Sequence, residues 1–218
     1  MKKFKDILNS GKYFLLPYLV LFIICLLILS LFSKSENHIW FNKHNSVFFD
    51  FFFKYYTNVG DGLFVVFISV ILLFYRYGLA LLVFSTYAIS GILAQVFKRY
   101  VFPEFVRPKI FFQSNYNLHF VDGVYLNTSN SFPSGHTVSA FAMFLCFALV
   151  SKNKYLQMLF FILACLVGYS RVYLSQHFLV DATGGSFLGI FVVLVYYYFH
   201  VNIKGNWING ALLKRISN

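Results

Sequence analysis

Apolar residues fall in six runs along this chain, each bounded by polar or turn-forming residues. The run 13–32 is uncharged and matches the roughly 20 residues that a helix needs to cross a bilayer. The runs 79–97 and 182–199 are also uncharged and nearly as long. The runs 62–75, 137–150 and 155–170 are shorter, and are read as spans whose ends extend into polar residues covered by neighbouring helices. The pattern predicts an all-α polytopic membrane protein, six transmembrane helices in one bundle, forming a single domain over residues 1–218. Between the first two runs, Val47–Tyr56 is rich in Phe and Tyr, with Asp50 and Lys54 four apart on one helical face. This stretch predicts an interfacial helix before span two. Tight connections are expected at Arg76-Tyr77-Gly78 and Ser151-Lys152-Asn153-Lys154, and a long polar segment over 98–134.

Composition reinforces this. The chain is 59% hydrophobic and 11% charged, more apolar than a soluble domain of this size can bury. Aromatic residues make up 22%, which suits lipid-facing and interfacial positions, with Trp40 and Trp207 as interface anchors. His38, His44 and His200 are also placed at the interface. Lys2, Lys3, Lys5 and Lys12 precede the first run as in a signal peptide, but that run is long and Lys34-Ser35-Glu36 follows it where a cleavage site would need small residues. A retained helix is expected. Cys25, Cys146 and Cys165 lie inside apolar runs without metal-ligand spacing and read as packing residues.

The net charge of +11 is spread between apolar runs rather than gathered into a nucleic-acid patch. With the N-terminus inside, Lys2, Lys3, Lys5, Lys12, Arg76, Lys152, Lys154, Lys204, Lys214 and Arg215 face the cytoplasm, opposed only by Asp6. The other side receives Lys34, Lys43, Lys54, Lys98, Arg99, Arg107, Lys109 and Arg171 together with every other acid. Positive-inside logic therefore places both termini in the cytoplasm. The excess of bases on the outer face is explained if several bind phosphate.

Three polar clusters share that outer face: Lys98-Arg99 with Arg107-Pro108, then Pro133-Ser134-Gly135-His136, then Ser170-Arg171 with His177 and Asp181. Ionisable groups near membrane depth are costly and mark functional sites. His177 and Asp181 are four apart and share a helical face. If they pair directly, the carboxylate holds one ring nitrogen protonated and frees the other for attack. The fork of Arg171 suits a phosphate. Ser134 is placed to cap the fourth span, Gly135 allows close backbone approach, and the helix start favours an anion. His136 beside it is placed to protonate a departing alkoxide. Pro108 stiffens the chain after Arg107. Asp61, within Gly60-Asp61-Gly62, reads as a helix cap, and His119 and Asp122 as loop residues or substrate contacts.

These stretches resemble the type 2 phosphatidic acid phosphatase and vanadium haloperoxidase superfamily. Its signature is Lys-x6-Arg-Pro, Pro-Ser-Gly-His, and Ser-Arg-x5-His-x3-Asp. Pro133–His136 meets the second residue for residue, and Ser170, Arg171, His177 and Asp181 meet the third. The first departs: Tyr100 holds the strict Lys register, so Lys98 is taken as the cation with Arg99 as substitute. The resemblance implies that His177 attacks phosphorus to form a phosphohistidine, Asp181 orients it, and His136 protonates the leaving lipid oxygen. Lys98, Arg107, Ser134, Gly135 and Arg171 then bind the phosphate, with Arg99, His119 and Asp122 as further candidate contacts. The same resemblance implies no metal and no cofactor, a lipid phosphate substrate in the membrane, and neither nucleic acid nor a protein partner. The expected function is a metal-independent lipid phosphatase of a bacterial inner membrane, with its site on the periplasmic or extracytoplasmic face. Lipid A or undecaprenyl diphosphate are favoured over phosphatidic acid and phosphatidylglycerol phosphate. A lipid phosphotransferase and a non-catalytic lipid-binding or transport protein are the alternatives.

Overall fold

The computed structural model describes residues 4–113, 116–203 and 205–213. Among these the secondary structure is helical, with no strand. Lys2, Lys3, Lys204, Lys214 and Arg215, part of the charge argument for orientation, lie outside the described residues.

Helix α1 (Phe4–Ser10) leads into α2 (Lys12–Leu31). Ser33 and Glu36 form a reciprocal capping box that starts α3 (Lys34–Lys43), and Ser46 accepts from the Phe49 N–H to start α4 (Val47–Tyr56). A 3-10 turn, Thr57–Gly60, carries α4 to Asp61, which caps α5 (Gly62–Leu73). Helix α6 (Tyr77–Val96) runs on as a π-turn, Phe97–Val101. Pro108 opens the short α7 (Pro108–Phe111), where its missing N–H is no loss. Helix α8 (Gly135–Val150) follows the long segment, and Asn153 caps α9 (Lys154–Tyr173) before α10 (Leu179–His200) completes the bundle.

Each of the six apolar runs is therefore helical. Helices α2, α9 and α10, and α6 with its π-turn (Tyr77–Val101), are long and apolar enough to cross a membrane. Val47–Gly60 and Gly62–Leu73 pass the same test only as a pair, bent by 57°. Helix α8 is apolar over 16 residues. Asp50 and Lys54, four apart on α4, each bond to other elements. Asp50 accepts from the Tyr173 hydroxyl and contacts His119, while Lys54 donates to the Asp122 carbonyl at 2.6 Å.

Helix α8 is the bundle's centre, packed against α6, α9 and α10 and buried along most of its length. Its shortness costs little because protein surrounds it. Between membrane helices the hydrophobic effect supplies little attraction, and small residues that let backbones approach take over. Gly185 and Gly189 do this on α10: a Cβ on either would lie 2.7 Å from the Ser134 carbonyl oxygen or 2.6 Å from that of Val138. This contact seats the start of α8, where the second polar cluster lies.

Gly185→Ala should destabilise the protein by about 1–3 kcal/mol, the scale of overpacking a tight interior. Gly135→Ala, whose added Cβ meets nothing within 4 Å, should not. Melting temperatures of the two variants in detergent check this pair.

Candidate active site

Direct hydrogen bonds tie the three polar stretches together. The Ser134 N–H donates to the Asp181 carbonyl at 3.0 Å, joining the second stretch to the third. Arg107 Nη1 donates to the carbonyl of Gln176 at 3.2 Å and to its side-chain oxygen at 3.3 Å, joining the first to the third. Its Nε donates to the Ser129 carbonyl at 3.0 Å. The backbone from 105 to 107 pairs with the approach to α8, through Arg107 N–H to Thr128 oxygen and Ser131 N–H to Phe105 oxygen.

At the centre, His177 Nδ1 lies 3.4 Å from Asp181 Oδ2. The same oxygen accepts from the Phe178 N–H at 2.9 Å and from the Ser131 hydroxyl, which also stands 3.5 Å from His177 Nδ1. His177 and Asp181 are buried. Among the described residues no hydrogen bond engages His177 Nε2, so that nitrogen is the one free to react. Burial holds the imidazole well below its ordinary range, and Arg107, Arg171 and Lys98 push in the same direction. Both influences favour the neutral ring.

Three cations surround it. Lys98, Arg107 and Arg171 are each no more than 7% exposed. Burial lowers the Arg107 guanidinium, and Asp181 partly offsets this. Arg171 Nη1 donates to Thr57 Oγ1 at 2.8 Å, while its buried Nε has no protein partner among the described residues. Lys98 sits on the π-turn at the end of α6, on its inner side. Arg99, the next residue, is exposed and lines a separate groove with Gly91, Gln95 and Tyr100.

Ser134 occupies the N-cap position of α8 without capping it: its hydroxyl accepts from Thr137 Oγ1 at 2.9 Å instead. Gly135 borders open space. His136 is partly exposed at the mouth, its Nε2 3.7 Å from Asp61 Oδ2. Two candidate contacts lie elsewhere in the fold. His119 pairs with Asp50 at 2.9 Å and its backbone with Asn42, and exposed Asp122 uses its carbonyl to hold Lys54. Among the described residues, no three His, Cys, Asp or Glu side chains gather as a metal site.

Several site neighbours escaped the sequence reading. Ser131, Gln176 and Thr57 touch the three stretches from outside their motifs. Lys34 is another: its Nζ stands 3.8 Å from the centre of the Phe178 ring, and burial lowers it. His38 is buried, its Nε2 3.1 Å from Ser175 Oγ, which also accepts from Asn42 at 3.2 Å. Ser175 holds a left-handed φ of 53° two residues before His177. Helix α3 therefore clamps the turn that presents His177. His200 is buried as well, whereas His44 and Trp40 are exposed.

Comparison with known proteins bears on this arrangement. A family model described as the PAP2 superfamily matches residues 79–204. Phosphatidylglycerophosphatase B of Bacillus subtilis is 40% identical over 86 residues, 35% of this chain and 42% of that protein. Lipid A 4'-phosphatase of Porphyromonas gingivalis is 26% identical over 105 residues, 46% of this chain and 44% of that one. The chain thus spans less than half the length of the curated relatives it matches. The crystal structure of Aquifex aeolicus LpxE superposes with a TM-score of 0.67 at 22% identity, over 75% of this chain and 94% of that one. The first transmembrane PAP2-type phosphatidylglycerolphosphate phosphatase from Bacillus subtilis gives 0.65 at 25%, over 89% and 99%. With its long apolar helices, the chain is an integral membrane protein.

Burial holds His38 at about 4, below its ordinary 6.5, so the folded protein favours the neutral ring. That stability is fully present above about 6.5 and drains as pH falls from there towards 4. His38→Gln, which keeps a donor for Ser175 but cannot titrate, should shrink the loss of melting temperature across that window.

Proposed function

The chain belongs to the PAP2 superfamily, and on that premise we propose that it is a lipid phosphatase working through a phosphohistidine on His177. The observation that carries this is the group of three buried cations around a buried, carboxylate-backed imidazole. Arg107, Arg171 and Lys98 hold the phosphoryl oxygens, with the N–H groups opening α8 at Ser134 and Gly135 as further donors. His177 Nε2 attacks phosphorus while Asp181 fixes Nδ1, and His136 gives a proton to the lipid oxygen as it leaves. Water then cleaves the N–P bond, with His136 taking a proton back. Stabilisation of the developing charge by the cations is the largest rate contribution, on the order of a hundredfold per donor. No cofactor has a role in these steps.

The proposed topology is a single domain of six spans, α2, α5, α6, α8, α9 and α10, with α4 in the interface. The site gathers the start of α5, the end of α6, the start of α8, the end of α9 and the start of α10. Strict alternation puts those five ends on one face. Lys5, Lys12, Arg76, Lys152 and Lys154 belong to the opposite ends, which supports the reading that both termini lie in the cytoplasm and the site on the extracytoplasmic side of a bacterial inner membrane.

The lipid nature of the substrate is supported by an apolar groove of about 300 Å³ among α2, α8, α9 and α10. Its lining includes Thr137, Val172 and Ala182, each next in sequence to a proposed site residue. The relatives are named for phosphatidylglycerophosphate and for lipid A 4'-phosphate. An envelope lipid phosphate of this kind, or undecaprenyl diphosphate, is the proposed substrate.

Purified protein with chelator present should release inorganic phosphate from at least one of phosphatidylglycerophosphate, phosphatidic acid, lipid A and undecaprenyl diphosphate. His177→Ala should lower that rate by more than about a thousandfold, as loss of a covalent nucleophile does, while the protein still inserts and folds. Undiminished turnover in the variant, or strict dependence on added metal, contradicts the mechanism.

A further inference from the structure

We propose that residues 57–61 are a fourth part of the active site, in which Asp61 is a positioning residue that faces His136 and favours the proton it donates. The inference rests on the mechanism proposed above and adds a residue outside its three motifs.

Three contacts along this short segment point the same way. Thr57 Oγ1 accepts from Arg171 Nη1 at 2.8 Å. Gly60 lies so close to α8 that a Cβ there would stand 2.6 Å from the His136 carbonyl oxygen and 3.0 Å from the His136 Cβ. Asp61 Oδ2 lies 3.7 Å from His136 Nε2, while its Oδ1 accepts from the Leu63 N–H at 2.8 Å and caps α5. One carboxylate thus fixes a helix start with one oxygen and faces the acid with the other.

The chemistry requires such a group. A lipid alkoxide leaves poorly unless protonated, so His136 must carry an imidazolium proton when the lipid oxygen–phosphorus bond breaks and the His177 nitrogen–phosphorus bond forms. Burial of His136 and the nearby cations Arg171, Lys98 and Arg107 all disfavour a positive charge there. Asp181 is committed to His177, Phe178 and Ser131. Among the described residues, Asp61 is the carboxylate within ion-pair distance of His136. At 3.7 Å the contact is too long for a hydrogen bond. Asp61 therefore supports the charge without taking up the proton, which passes to the lipid oxygen. The carboxylate ends the step unchanged.

Asp61→Asn and Asp61→Ser separate this role from capping, because both residues cap helices well and neither carries charge. The two variants are compared with wild type on two long-chain phosphates sharing one tail. One is an alkyl phosphate and the other an aryl phosphate whose nitrophenolate leaves without protonation. Wild type should hydrolyse both. Each variant should lose about 10–100-fold in kcat on the alkyl phosphate, part of what general acid catalysis contributes. KM should stay within about twofold and the aryl phosphate rate near wild type. His136→Asn should show the same selectivity more strongly. Equal losses on both substrates, an unchanged alkyl rate, or wild type inactive on the aryl phosphate overturns the proposal. Failure of the underlying mechanism shows separately, as turnover that survives His177→Ala.

Discussion

Burying positive charge without matching negative charge is the constraint on which this protein's architecture turns. Lys98, Arg107 and Arg171 are drawn into the interior of an apolar bundle, where an unpaired ion costs several kcal/mol. Carbonyls of Ser129 and Gln176 and the Thr57 hydroxyl soften that cost. Asp181 faces Lys98 and Arg107 electrostatically, but one carboxylate cannot neutralise three cations. On the proposed mechanism a phosphate dianion would supply the balancing charge, so affinity for the phosphoryl group and poise of the proposed nucleophile would come from one arrangement. Burial favours the neutral form of His177, and the cations that would grip the substrate push the same way.

Holding that arrangement falls to features that carry no chemistry. Gly185 and Gly189 on α10 let the start of α8 settle against the start of α10, so that the Ser134 N–H reaches the Asp181 carbonyl. Helix α3 reaches under the bundle's end with His38 and Asn42 and fixes Ser175 in its left-handed turn. Tyr173 and His119 converge on Asp50, tying α9 and the long loop to α4. The reactive groups sit on helix ends and tight turns, and the support beneath them is local and polar within an otherwise apolar body.

Much of this was legible in the chain. Apolar periodicity located all six runs, because lipid demands unbroken hydrophobic length. The second and third motifs named His136, Arg171, His177 and Asp181 because their spacing is local. The reading failed where contact is made through the fold. Asp61 and His136 are distant in sequence, and Asp61 is a true helix cap, so the local explanation hid its second oxygen. His38 carries no sign of burial in a polar stretch such as Lys34–Lys43. Lys98, preferred over Arg99 from the sequence, is the one the π-turn sets inward, with Arg99 outward. Ser134 has the residue type of a cap, yet Thr137 claims its hydroxyl.

The most direct test of the central claim is a rapid acid- and alkali-quench of the protein mixed with a lipid labelled in its phosphate. The account predicts transient protein-bound label that survives alkali, is lost in acid, and maps to His177. Phosphate release at full rate with no label on protein at any quench time, or label on another residue, would contradict it.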